Sequence, residues 1–218
     1  MRQLLYPALF LFSVLSSRAD YFDDTGYRAL ATELGAGLPD GTGVGVTQVE
    51  FGNPEYLPQA GSGSFPGSGS YFAGKTFNAQ SGASGASGHA FDVSAHFFSL
   101  NANPLAGRAS FTPGITTIDL YRVDSEGGST SWTSEAWLKP GTFRAPLTED
   151  RAIQNHSWIS PGSSGSAVED NDSLRRFDFA IRRDGFLAVT GVNNGTSTVP
   201  ALMASAYNNL AVGLSSGG

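Results

Sequence analysis

Three side chains in this sequence have the chemistry of acid–base and acyl-transfer catalysis. Glu50 comes directly after an apolar run, His89 follows a stretch rich in glycine and serine, and Asn193 follows a second apolar run. A carboxylate can orient an imidazole, the imidazole can act as a general base, and an amide N–H can stabilise an oxyanion. The sequence therefore offers an acid, a base and an oxyanion donor, with Asn194 as the alternative donor.

The elements that must position these side chains follow from hydrophobic patterning. Short apolar runs predict buried strands, and apolar residues at helical spacing predict helices between them. The predicted strands are residues 44–49, 115–123, 152–158, 186–192 and 210–214, and the predicted helices are residues 25–34, 89–100, 130–138 and 172–183. This alternation predicts an α/β fold, a parallel sheet with helices on both faces.

The fold class also predicts where the site lies. The carboxyl ends of parallel strands meet at one edge of the sheet, and sites gather there. We therefore expect Glu50 and His89 to lie within hydrogen-bond reach at that edge. Residues 54–88, which are rich in Gly, Ser and Pro, predict a long surface loop before the base.

The order and spacing of these segments resemble the subtilisin-like serine peptidases, from about Gly41 to the end of the chain. The resemblance implies a subtilisin-like three-layer architecture and peptide-bond hydrolysis through an acyl-enzyme. It also assigns the roles of orienting acid, base and oxyanion donor to Glu50, His89 and Asn193. The family normally has Asp at the first of these positions and His at Asp92, so this chain departs from the pattern twice. The resemblance further implies a strand that flanks the bound peptide at Ser157, Trp158 and Ile159.

The position of the catalytic serine is the largest departure from the family pattern. Gly195-Thr196-Ser197 matches the family's Gly-Thr-Ser segment, but it directly follows the strand that the resemblance assigns to the oxyanion donor. Residues 206–213 then continue the pattern expected between that donor and the nucleophile. We therefore expect the serine beyond Gly218, with Ser197 as the other candidate, and expect these residues to be a C-terminally incomplete, inactive fragment.

Two other functional interpretations start from the same residues. Glu50 and the missing serine also fit an exported, non-catalytic binding or surface module on the same scaffold. His89, Asp92 and His96 lie close to one helix face, but no further ligand is evident, so we predict no transition metal and no cofactor. Structural calcium is left open.

Residues 69–76 match the sequence pattern of a phosphate-binding loop. Serine and glycine surround this segment, where a phosphate loop requires a strand before it and a helix after it.

The N-terminal residues predict the compartment of the protein. Arg2, the apolar residues 4–15 and the small residues Ser17 and Ala19 have the pattern of a signal peptide, residues 1–19. We therefore expect a secreted or extracytoplasmic protein that begins at Asp20, with residues 20–40 as a lead-in and residues 41–218 as the partial peptidase domain.

The absence of Cys excludes thiolate chemistry and disulfides. A net charge of -6 argues against nucleic acid or an anionic membrane as a partner. The expected partner is a peptide or protein substrate, and the sequence leaves the oligomeric state open.

Overall fold

A computed structural model describes residues 20–52, 55–58, 71–100, 109–123, 130–159, 167–192 and 202–213. The chain divides after Leu38 into two compact units. The first unit contains helices α1 (Tyr21–Asp24) and α2 (Tyr27–Leu34), followed by a 3₁₀ turn. Asp20 caps α1 by accepting hydrogen bonds from the backbone N–H groups of Phe22 and Asp23. The predicted helix over residues 25–34 is confirmed from Tyr27, whereas α1 was not predicted.

The second unit is built on a parallel sheet. Its strands in chain order are β1 (Gly45–Phe51), β2 (Leu57–Pro58), β3 (Thr76–Ala79), β4 (Ala86–Ser87), β5 (Thr117–Val123), β6 (Ile153–His156), β7 (Leu187–Gly191) and β8 (Leu210–Val212). In the described part of the chain, six of them form one sheet in the order β3-β5-β1-β6-β7-β8, and every neighbouring pair is parallel. β2 and β4 pair separately. The five predicted strands are therefore confirmed, with small differences at their ends.

Helices cover both faces of this sheet. Helix α3 (Gly88–Phe98) buries Ala95 and Phe98 against Ile118 and Leu120, and α4 (Ala167–Asp184) packs on the opposite face. On that face its buried residues Phe177, Ala180 and Ile181 contact a cluster that includes Val49, Tyr121 and Ala188. Successive residues of a strand point to opposite faces, so β1 and β5 contribute to both clusters: Val46, Ile118 and Leu120 lie on the α3 face, and Val49, Tyr121 and Val123 lie on the α4 face. The predicted class, an α/β parallel sheet with helices on both faces, is confirmed.

The predicted helix over residues 130–138 is wrong. The segment is a series of turns in which the Leu138 N–H donates to the Trp132 carbonyl at 2.8 Å, six residues back instead of four. The hydroxyls of Ser131 and Ser134 bond to each other at 2.8 Å, and such side chains compete with helical hydrogen bonding. The apolar spacing instead reflects Trp132 and Trp137, which are both buried and stack with their ring centroids 5.1 Å apart.

Residues 54–88 are not one continuous loop. β2, β3 and β4 all lie within this stretch, and β3 is part of the main sheet; residues 53–54 and 59–70 lie outside the described part. Lys75 is buried and its Nζ donates to the carbonyl oxygens of Pro113 and Ile115, at 2.9 and 2.5 Å. A strand follows Lys75 where a phosphate loop requires a helix. In the described residues, no helix combines the length and the apolar character needed to traverse a bilayer.

Candidate active site

The site is built around a contact between a strand end and a helix start. Glu50 lies at the carboxyl end of β1, and its side chain is completely buried. Its Oε2 lies 2.7 Å from Nδ1 of His89, in the first turn of α3. The predicted hydrogen-bond contact between Glu50 and His89 is therefore confirmed. A carboxylate accepts only, so Nδ1 is the nitrogen that carries the proton in this contact.

Local sequence explains why His89 lies where it does. Ser87 caps α3, because its Oγ accepts a hydrogen bond from the Ala90 N–H at 3.2 Å. His89 thus sits two residues after the cap, on the turn that faces the end of β1. Its side chain is 57% exposed although its partner Glu50 is not exposed at all. The imidazole of His89 is accessible from outside, while the Glu50 carboxylate that it contacts is shielded from water.

The second carboxylate oxygen of Glu50 also has a partner. Gln48, two residues earlier on β1, donates from Nε2 to Glu50 Oε1 at 2.9 Å. The same Nε2 donates to the Ala90 carbonyl at 3.2 Å, and Ser94 Oγ donates to Gln48 Oε1 at 2.9 Å. Gln48 and Ser94 are both completely buried. Neither residue was singled out from sequence, although an amide on the same face of the strand as the acid was a usable signal.

Burial and pairing shift both pKa values in the same direction. Burial raises the pKa of the Glu50 carboxyl, and the hydrogen bonds from His89 and Gln48 oppose this only in part. The hydrogen bond to Glu50 raises the pKa of His89 above its usual value, although burial acts against it. Both shifts mean that the pair holds a proton more tightly than either group would in water. The imidazolium that forms when His89 takes a proton is therefore stabilised.

A cleft of about 640 Å³ opens at the carboxyl edge of the sheet, beside His89. The ends of β1, β6, β7 and β8 line it together with the segment that follows β6. That segment contains Ser157, Trp158 and Ile159, so the structure brings all three predicted substrate-binding residues to the same cleft as His89. Ile159 is 49% exposed and Trp158 is buried. Their role in binding peptide stays a prediction.

A chain of buried hydrogen bonds holds Trp158 in the cleft wall. Its Nε1 donates to His156 Nδ1 at 3.2 Å, so His156 carries its proton on Nε2 and donates to Gln154 Oε1 at 2.8 Å. Gln154 Nε2 then donates to Glu149 Oε2 at 2.7 Å. Complete burial lowers the pKa of His156 to about 3, so this imidazole is neutral at ordinary pH. His156 therefore has a structural role.

Comparison with known proteins returns few matches. No family model matches the chain, and no curated protein does. MycP1 is a structural neighbour. Its crystal structure with the N-terminal propeptide removed has 16% sequence identity to this chain and a TM-score of 0.46, with 82% of this chain and 50% of MycP1 covered. This chain spans half the length of MycP1, and the chemistry of the site rests on the geometry of its own residues.

Several predicted features lie outside the described residues. These are Asn193 and Asn194 as oxyanion donors, Ser197, and the signal peptide over residues 1–19. Within the described ranges, no group of three or more His, Asp or Glu side chains could hold a metal ion, and this includes the set His89, Asp92 and His96. The structure thus brings Glu50, His89 and residues 157–159 together, and their catalytic and binding roles stay predictions.

Proposed function

We propose that this chain carries the acid–base half of a serine peptidase site of the subtilisin type, which hydrolyses peptide bonds through an acyl-enzyme. The observation that carries the proposal is the 2.7 Å contact between Glu50 Oε2 and His89 Nδ1 beside an open cleft. An acid that holds Nδ1 leaves Nε2 to face the substrate. This is the arrangement that general-base activation of a hydroxyl requires.

The steps of the proposed reaction assign one role to each group. His89 Nε2 removes the proton from a serine hydroxyl as that oxygen attacks the peptide carbonyl, and Glu50 stabilises the imidazolium that forms. The amide of Asn193 donates to the developing oxyanion. His89 then protonates the leaving amine, and water hydrolyses the ester through the same base. Burial of Glu50 supports its role, because a carboxylate shielded from water interacts more strongly with the imidazolium.

The cleft supports a peptide as the substrate. Its walls combine apolar side chains such as Trp158 and Ile159 with the polar side chains of Asn155 and Ser157. Asn155 Nδ2 donates to Ser157 Oγ at 2.9 Å, so these polar groups are held in place. We propose that residues 157–159 flank the peptide as an extended strand, since an extended chain binds along a strand through its main-chain groups.

The experiment that tests this function is labelling with a serine-directed phosphonate. We expect a chain extended past Gly218 to be labelled, and we expect His89→Ala to abolish the labelling because the hydroxyl loses its base. His96→Ala is the matched control, because His96 is an exposed histidine on the same helix.

Two outcomes would change the assignment. Labelling of the 218-residue chain that requires both Ser197 and His89 would make Ser197 the nucleophile. No labelling of either chain, or labelling that survives His89→Ala, would refute the peptidase function. Absence of labelling would favour the alternative function, a non-catalytic binding module. The presence of Glu50 in place of the usual Asp also fits that alternative.

A further inference from the structure

Gln48 is a completely buried amide at the centre of the sheet, and the roles assigned so far leave it unexplained. It lies two residues before Glu50 on β1, so both side chains point to the same face, toward α3. A buried amide without hydrogen-bond partners costs stability. Here both ends of the amide have partners, and one of them is the acid of the site.

The partners of Gln48 fix the orientation of its amide. Glu50 Oε1 and the Ala90 carbonyl can only accept, and they lie 2.9 and 3.2 Å from one end of the side chain, so that end is Nε2. The opposite end, Oε1, accepts from the Ser94 hydroxyl at 2.9 Å. Ala90 and Ser94 are four residues apart and share one face of α3. Gln48 therefore links the acid directly to the helix that carries the base.

The hydrogen bond from Gln48 restrains a flexible acid side chain. The side chain of Glu50 has three rotatable bonds, so its carboxylate can turn or withdraw unless something holds it. A donor fixed on Oε1 leaves Oε2 as the oxygen that faces His89 Nδ1. The donor is itself held at both ends, so its position does not depend on the acid.

We propose that Gln48, anchored by Ser94, is a positioning residue that holds the Glu50 carboxylate with Oε2 on His89, and so keeps the histidine proton on Nδ1. Gln48 acts through Glu50 and does not touch substrate. The inference rests on the proposed function in one respect, since keeping Nε2 free of its proton matters for catalysis only if His89 is the base. The physical effect itself is measurable without any activity.

The test is the tautomer of His89, read by NMR on the chain labelled with ¹⁵N-histidine at a pH above the pKa of that residue. Only three histidines contribute signals. We expect the wild-type proton on Nδ1. Gln48→Met keeps the length and burial of the side chain but removes the donor, and we expect it to lower the Nδ1-bound fraction by about half. Ser94→Ala leaves the amide in place but unanchored, and we expect a smaller change in the same direction.

A second buried glutamine provides the matched control. Gln154 is also completely buried and donates to a buried carboxylate, that of Glu149, but it contacts His156 instead of His89. We expect Gln154→Met to change the signals of His156 and to leave the His89 tautomer unaltered. Native His156 signals in Gln48→Met would in turn show that this variant is folded.

The possible outcomes distinguish the positioning role of Gln48 from the peptidase function. An unchanged His89 tautomer in folded Gln48→Met would overturn the positioning role. If Gln48→Met does not fold, an unchanged tautomer in Ser94→Ala overturns it. If the wild-type protein has its His89 proton on Nε2, the hydrogen bond between His89 Nδ1 and Glu50 is contradicted, and so are both proposals. The expected tautomers together with a failure of phosphonate labelling would refute the peptidase function while leaving the positioning role intact.

Discussion

At the residue scale, the hydrogen bond between Glu50 and His89 is the central contact of the proposed site. The contribution of the Glu50 negative charge to this contact can be tested. Glu50→Gln keeps the shape of the side chain but removes the negative charge and changes the acceptor. We expect the pKa of His89 to fall toward its ordinary value, because the hydrogen bond to Glu50 is the main cause of its rise. The measurement is an NMR titration of the imidazole.

Asp92→Asn is the comparison for that titration. Asp92 also raises the pKa of His89, but it is the smallest of the named causes. We therefore expect a smaller fall than in Glu50→Gln. An equal or larger fall would mean that the charges on α3, and not the contact with β1, set the proton affinity of His89.

The Glu50–His89 pair could be predicted from sequence, whereas only the strand alternation that places Gln48 on the same face as Glu50 pointed to the residues that hold it. Glu50 and His89 stand at places that a pattern reveals, the end of an apolar strand and the first turn of a helix after a glycine-rich stretch. Gln48 lies inside a buried strand, where a polar residue first looks like a break in the apolar run. Its role depends on Ser94, which is 46 residues away in sequence. No local pattern encodes that distance.

At the element scale, the attachment of α4 to the sheet can be tested with two phenylalanines. Phe177 is completely buried and packs edge-on against Trp132, with the ring centroids 5.5 Å apart, whereas Phe179 is 52% exposed. We expect Phe177→Ala to lower the free energy of unfolding by about 3 to 5 kcal/mol, because it removes packed area and leaves a cavity. Phe179→Ala should cost less than about 1 kcal/mol. Urea unfolding measures the free energy of unfolding of both variants. Similar losses in the two variants would contradict the assignment of Phe177 to the face of α4 that packs on the sheet.

The start of α3 is a second element that a small change can test. Ser87→Ala removes the oxygen that accepts from the Ala90 N–H, and we expect it to lower the free energy of unfolding by about 1 kcal/mol. Ser87→Asp retains an acceptor and should recover most of that loss. If both variants match the wild type in urea unfolding, the cap does not hold this end of the helix.

Patterning predicts elements well where burial follows local spacing. β1, β5 and β7 are rich in apolar residues, which is why they were predicted, and β6 was predicted together with its flanking residues Ala152 and Trp158. β3 was missed because Thr76, Phe77, Asn78 and Ala79 lie within a stretch of glycine and serine, and only pairing with β5 makes them a strand. The segment around Trp132 was predicted as a helix because its apolar residues have helical spacing, although turns also bury them.

At the scale of the whole molecule, stability should depend on pH through His156. Its pKa is about 3 in the folded protein and 6.5 is its ordinary value, so between these pH values the unfolded chain binds a proton that the folded chain does not. Stability should therefore fall as pH drops below about 6.5, with a contribution from His156 of about 1.4 kcal/mol per pH unit. At higher pH both states are neutral and the contribution disappears.

His156→Gln isolates this contribution. Urea unfolding at a series of pH values should show a variant that is less stable at neutral pH, by about 1 to 3 kcal/mol, because the hydrogen bonds of the imidazole are lost. Its stability should decline less steeply toward acid than that of the wild type. Parallel curves for the two proteins would show that His156 is not held neutral in the folded chain.

The strand order has a consequence for the time at which the site forms. β1 carries Glu50 and is the first strand of the large sheet among the described residues, yet it pairs with β5 and β6 in the middle of that sheet. Its first partner, β5, begins about 70 residues later, so a ribosome adding about 5–20 residues per second needs several seconds to supply it. During synthesis Glu50 therefore emerges well before β5 and β6, the two strands that pair with β1.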